Sequence, residues 1–228
     1  MRLSYLSKDG EEGFPGNVTA SVTYSLVSPH ELRIDYHAST DKPTPINMTN
    51  HSYFNLHGQN RSVVDHILTL NADSYLVCDD TVVPTGEIKS VTGSPYDFTQ
   101  PVPIGKEPEW FQGVRGYDNC FVLRDTQEPR GLRLAAKVSS PATNITLEVS
   151  TTQPGVQFYS ANFFNASIKA KASQLPGSSS EVYEKQFGFA LETQHFPDAP
   201  NQPSFPSTIV RPGKDYEHTT TLKFSWLK

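Results

Sequence analysis

Apolar residues alternate one for one with small polar ones through several stretches of this chain, and that period of two limits the fold more than any other feature. Val18, Ala20, Val22, Tyr24 and Leu26 stand between threonines and serines. Leu32, Ile34 and Tyr36 resume the pattern after Pro29-His30, which predicts a pair of antiparallel strands. Ile67, Leu68 and Leu70 mark a further strand, as do Tyr75, Leu76 and Val77, then Phe121, Val122 and Leu123. The alternation returns at Leu132, Leu134, Ala136 and Val138, at Ile145, Leu147 and Val149, and at Leu222, Phe224 and Trp226. No window keeps a helical period. Residues 84–116, rich in proline, glycine and charge, predict a long excursion with little regular structure. The serine-rich stretch 171–184 predicts a mobile surface loop, and the proline-rich stretch 195–213 an extended or turning one. The expectation is an all-β fold of packed sheets, one domain over residues 1–228.

A length of 228 residues suffices for one large core. A net charge of -5, with no basic run, argues against nucleic acid as a partner. No apolar run is long enough to span a membrane. The first residues lack the apolar block of a signal peptide, and two cysteines, Cys78 and Cys120, are too few for a disulfide framework. Together these predict a cytoplasmic protein.

Two stretches break the strand rules in ways that suit chemistry. In Asn47-Met48-Thr49-Asn50-His51-Ser52-Tyr53-Phe54-Asn55, a histidine sits among short polar residues and aromatics, where a surface strand would carry charges and a core strand valine or isoleucine. His51 is either a proton-transfer group working near neutral pH or a buried histidine satisfied by local hydrogen bonds. In Phe187-Gly188-Phe189-Ala190-Leu191-Glu192, the alternation puts Gly188, Ala190 and Glu192 on one face. Two tiny residues beside a carboxylate predict open space for a ligand, and partial desolvation would raise Glu192 toward the range of a general base. The alternative is a glutamate exposed at a strand end.

Gln157, between Gly155 and Tyr159 on one face, both donates and accepts hydrogen bonds and so suits hydroxyl recognition. Asp118 either grips a sugar diol or caps the turn that opens its strand, and local sequence favours the turn. There is no histidine pair at helical metal spacing, no cysteine cluster, no phosphate-cradling glycine loop and no Gly-x-Ser-x-Gly elbow. The set points to acid/base work on a polyhydroxylated ligand with no metal and no cofactor.

Taken together, Asp9-Gly10-Glu11-Glu12-Gly13-Phe14-Pro15-Gly16, Thr49 to Leu56, Gly116-Tyr117-Asp118, Gly155-Val156-Gln157-Phe158-Tyr159, Gly188 to Gln194, Pro197 to Asn201 and Tyr216 resemble the aldose 1-epimerase (galactose mutarotase) family, in family order. The resemblance implies a large antiparallel β-sandwich that interconverts the α and β anomers of hexoses such as galactose and glucose. It implies Glu192 as base, His51 as acid, and Asp118, Gln157, Asn50 and Tyr53 as sugar-binding residues. It starts at about residue 3, so the family's N-terminal portion, with an arginine and a further histidine for the sugar site, has no counterpart here. The expectations that follow are unpaired edges, uncovered apolar surface, impaired turnover, and a monomer or weakly self-associating chain. A non-catalytic carbohydrate-binding module is the competing reading. A hexose-6-phosphate epimerase is disfavoured, because Arg115 and Arg124 make no compact phosphate-binding cluster.

Overall fold

A computed structural model describes all residues except 59, 108, 110–115, 125–130, 178 and 227–228. Strands dominate it: β1 (Arg2–Ser7), β2 (Val18–Ser28), β3 (Glu31–Thr40), β4 (Thr44–Pro45), β5 (Ile67–Leu70), β6 (Ala72–Cys78), β7 (Pro84–Ser90) and β8 (Val102–Pro103). They continue as β9 (Asp118–Leu123), β10 (Arg133–Ser139), β11 (Ile145–Thr151), β12 (Gly155–Tyr159), β13 (Ala190–Gln194), β14 (Ile209–Val210) and β15 (Tyr216–Trp226). Helical structure among the described residues is limited to short 3₁₀ turns. No described helix is long and apolar enough to cross a membrane.

An eight-stranded sheet runs β1-β2-β3-β15-β11-β10-β5-β8, and a five-stranded sheet runs β13-β12-β9-β6-β7. Every named pairing is antiparallel. The core lies between the two sheets. Ile34, Tyr36, Leu147 and Leu222 from the larger sheet meet Phe121, Phe158, Leu191 and Phe189 from the smaller side. Thr193 Oγ1 touches Thr220 Oγ1 across the gap at 2.6 Å, which fixes the odd-numbered side chains of β13 as inward-facing. Glu192 and its cross-strand partner Gln157 therefore point outward. Part of that outer face is capped by the proline-rich segment, whose Phe196, Ala199 and Phe205 pack on Leu76 and Cys120. The part carrying Glu192, Gln157 and Asp118 is left to another segment.

Three expectations need correction. The 84–116 excursion contains β7, a seven-residue edge strand hydrogen-bonded to β6. Only its first residue, Pro84, is buried, so it has no apolar rhythm to read. The smooth alternation through Leu132–Val138 fails as well. The β10–β11 register slips between Leu134 and Ala136, so Ala135 and Ala136 are both buried while Leu132 and Leu134 are exposed. The serine-rich stretch is tied down on one side: Lys169 bridges Val182, and the buried Asn60 amide donates to the Ser180 and Val182 carbonyls at 2.7 and 2.8 Å.

At one edge of the larger sheet, β1 pairs among the described residues with β2 alone, and Leu3 and Tyr5, opposite Val22 and Ala20, remain 54% and 60% exposed.

Candidate active site

The segment Asn47–Asn55 forms a strap along the free edge of β13. At one end, Phe54 and Phe189 exchange backbone hydrogen bonds of 2.8 and 3.0 Å as an isolated antiparallel bridge. The adjacent Asn55 amide donates to the Phe187 and Arg61 carbonyls at 3.1 and 2.7 Å. At the other end, Asn47 accepts from the His195 backbone N–H at 2.9 Å and donates to its carbonyl at 3.1 Å. Tyr216 props the same end: its hydroxyl accepts from the Met48 N–H at 3.1 Å and from the Gln153 amide at 2.7 Å.

This geometry places the histidine. Counting three residues back from Phe54 and three on from Phe189 sets position 51 opposite position 192. His51 Nε2 lies 3.5 Å from Glu192 Oε1. The histidine side chain is 48% exposed and the glutamate 13%, so a ligand can reach the pair from one side.

Around the pair, Gln157 Nε2 donates to Asp118 Oδ1 at 2.7 Å. Asp118 is the first residue of β9 and not a turn cap, which corrects the expectation from local sequence. Burial lifts both carboxyls, Glu192 and Asp118, above the usual carboxylate range. The nearby His51 works against that rise in both, and Asp118 adds to it at Glu192. Gln157 Oε1 is buried without a hydrogen-bond partner, an acceptor waiting for a donor. A cavity of about 290 Å³ opens on the far flank of Asp118, with Tyr75, Cys78, Tyr96 and Gly116 in its walls.

The space above Gly188 and Ala190 is not open, contrary to expectation. A side chain at position 188 would meet Tyr53, and the fully buried Ala190 packs with Tyr159 and Ala161. Those rings build the site's wall: Tyr53 and Tyr159 lie 5.0 and 6.2 Å from the His51 ring. Asn50 shapes the strap by accepting the Ser52 N–H at 3.2 Å. Asn47, Tyr216 and Gln153 are the contributors that sequence reasoning missed as site residues. Three asparagines in nine strap residues were the available signal, since asparagine often stands in for a missing backbone partner.

Two other features lie outside this site. A larger cavity of about 650 Å³ opens between β3, β15 and residues 207–210; Tyr216 and His195, which hold the strap, line it, but neither His51 nor Glu192 does. His57, Asp65 and His66 bring possible metal-ligating atoms within 4.8 Å of one another. Their atoms are already engaged: His57 with Asp65, Arg61 and Ser140, and His66 with Asp65 and the Leu56 N–H. Arg124 ion-pairs with Asp73, away from this site, and Arg115 lies outside the described residues.

Comparison with known proteins adds the family. The family model for aldose 1-epimerase matches residues 1–223. Galactose mutarotase from Rattus norvegicus is 46% identical over 226 residues, 99% of this chain and 63% of that protein. Aldose 1-epimerase from Escherichia coli (strain K12) is 39% identical over 223 residues, 96% of this chain and 62% of that protein. The crystal structure of a GalM/aldose epimerase homologue from C. elegans matches with a TM-score of 0.84 at 29% identity, covering 100% of this chain and 66% of that one. That of galactose 1-epimerase from Lactobacillus acidophilus NCFM gives 0.77 at 26% identity, covering 100% and 63%. The chain thus spans a little under two thirds of the length of these relatives.

Proposed function

This chain belongs to the aldose 1-epimerase family, and from that premise we propose that it interconverts the α and β anomers of aldoses such as galactose and glucose. Glu192 as carboxylate takes the proton of the anomeric hydroxyl while protonated His51 gives one to the ring oxygen. The C1–O5 bond breaks, the C1 carbonyl forms, and the free end rotates about C1–C2. Closure on the other face runs the transfers backward: His51 removes the hydroxyl proton, and Glu192 returns one to the new anomeric oxygen. Protons and electrons balance with these two groups alone.

The 3.5 Å approach of His51 to Glu192 carries the reading. The hydroxyl and ring oxygens share one carbon, so acid and base must themselves stand close together. The raised Glu192 suits a base that must also act as an acid on the return step. Asp118, the unpartnered Gln157 Oε1 and the Tyr53 ring offer the charge, acceptor and apolar face that a pyranose uses.

Polarimetry on freshly dissolved α-D-galactose and α-D-glucose tests this. The purified chain should speed the approach to equilibrium rotation. Glu192→Gln and His51→Gln should each cut that acceleration by about 10²- to 10⁴-fold, the usual contribution of a positioned acid or base. Decay at the spontaneous rate with the unaltered chain would overturn the proposal. Retained sugar binding in that case would favour the carbohydrate-binding alternative.

A further inference from the structure

We propose that Asn47 is a positioning residue for the reaction, holding the acid over the base by acting as a false strand partner for β13. The inference rests on reading His51 and Glu192 as the acid/base pair.

The strap is attached at sites on both sides of position 192. Phe54 and Asn55 secure it before Glu192, through Phe189 and Phe187. Asn47 secures it after Glu192, through both backbone groups of His195. A carboxamide presents one acceptor and one donor in a plane, as a peptide group does, so its side chain closes the pair of bonds a neighbouring strand would make. Regular pairing from Phe54 would bring residue 48 opposite His195. The side chain of residue 47 makes the contact instead, and among the described residues the backbone of 48–53 makes no hydrogen bond to β13. His51 lies in that unpaired stretch, about midway between the fastenings. With Asn47 released, that end keeps the Tyr216 contact to Met48 but loses its tie to the end of β13, and His51 gains room to shift while Glu192, Gln157 and Asp118 stay fixed in their sheet.

Removal of the clamp should therefore damage chemistry more than binding. Asn47→Ala is expected to lower kcat for mutarotation by about 10- to 100-fold, the loss that a misplacement near 1 Å brings, with KM changed less than threefold. Carboxyl NMR of ¹³C-labelled protein supplies a readout independent of turnover. In the unaltered chain, His51→Gln should raise the Glu192 titration midpoint, because it removes the positive charge that holds it down. In Asn47→Ala that rise should shrink to less than half. Asn47→Asp keeps the acceptor for the His195 N–H and loses the donor, so it should fall between the two and carries the test should the alanine variant not fold.

Three results would count against the clamp. An equal rise in both backgrounds, or an unchanged kcat, overturns it and leaves the acid/base pair standing. No rise in the unaltered chain overturns the pair itself, and the clamp with it.

Discussion

Glu192 is held in surroundings that oppose its charge, and that has a price in stability as well as the use in catalysis proposed above. A carboxyl raised in the fold destabilises the protein above both its folded and unfolded values, and does so no longer below both. Glu192→Gln is therefore expected to melt at a higher temperature than the parent at pH 7. The gain should vanish near pH 3, where the carboxyl is protonated folded or unfolded, and differential scanning calorimetry at the two pH values checks this. His66 works in the opposite direction. Burial pushes its imidazole down to about 4 from 6.5, so the unfolded chain takes up a proton between those values and the fold does not. Stability should be full above pH 6.5 and fall as pH drops toward 4, by about 3 kcal/mol at roughly 1.4 kcal/mol per pH unit. Urea midpoints across that window should drop for the parent and change less for His66→Gln. At this scale, the residues with unusual neighbours were legible. His51 and Glu192 stand out in the sequence because each breaks a strand pattern. Asn47 does not, because its role is set by a backbone 148 positions away.

Among the elements, β13 does the most with the least length. It is a five-residue edge strand, and its neighbour on one side is a strap held by a single backbone bridge and side-chain bonds. Phe189, just before the strand and fully buried, joins bridge and core, its ring 5.8 Å from Phe54. Phe189→Ala should lower stability by about 3–5 kcal/mol through the cavity it leaves, measured as a urea midpoint shift. Phe163→Ala, at a side chain 66% exposed, should change it by no more than about 0.5 kcal/mol. Most strands were readable because half-buried strands write their burial into the sequence at every second residue. β7 was not, because it is exposed beyond Pro84. The Ala135 bulge was not, because two alanines in a row fit either register. The strap was recognised by its odd composition, but its pairing with β13 comes from contacts distant in sequence.

Across the whole molecule, the two sheets and their antiparallel order agree with the all-β sandwich expected from the alternation. The open edge at β1 follows from no local pattern. Its unpaired backbone, with Leu3 and Tyr5 uncovered, is a template for pairing with another strand. Sedimentation velocity should show association growing with concentration, and Leu3→Lys with Tyr5→Lys should reduce it. Unchanged association in the double variant would point to a different surface.

The strap's few fastenings make the approach of His51 to Glu192 easy to lose. Local opening of residues 49–53 leaves both sheets paired and keeps Phe54 against Phe189 and Phe224, so it lies below global unfolding in free energy. In a urea titration, sugar turnover should fade at lower denaturant than the far-ultraviolet dichroism of the strands. Mutarotation would then serve as a gauge of tertiary order, extinguished while the secondary structure still reads as native.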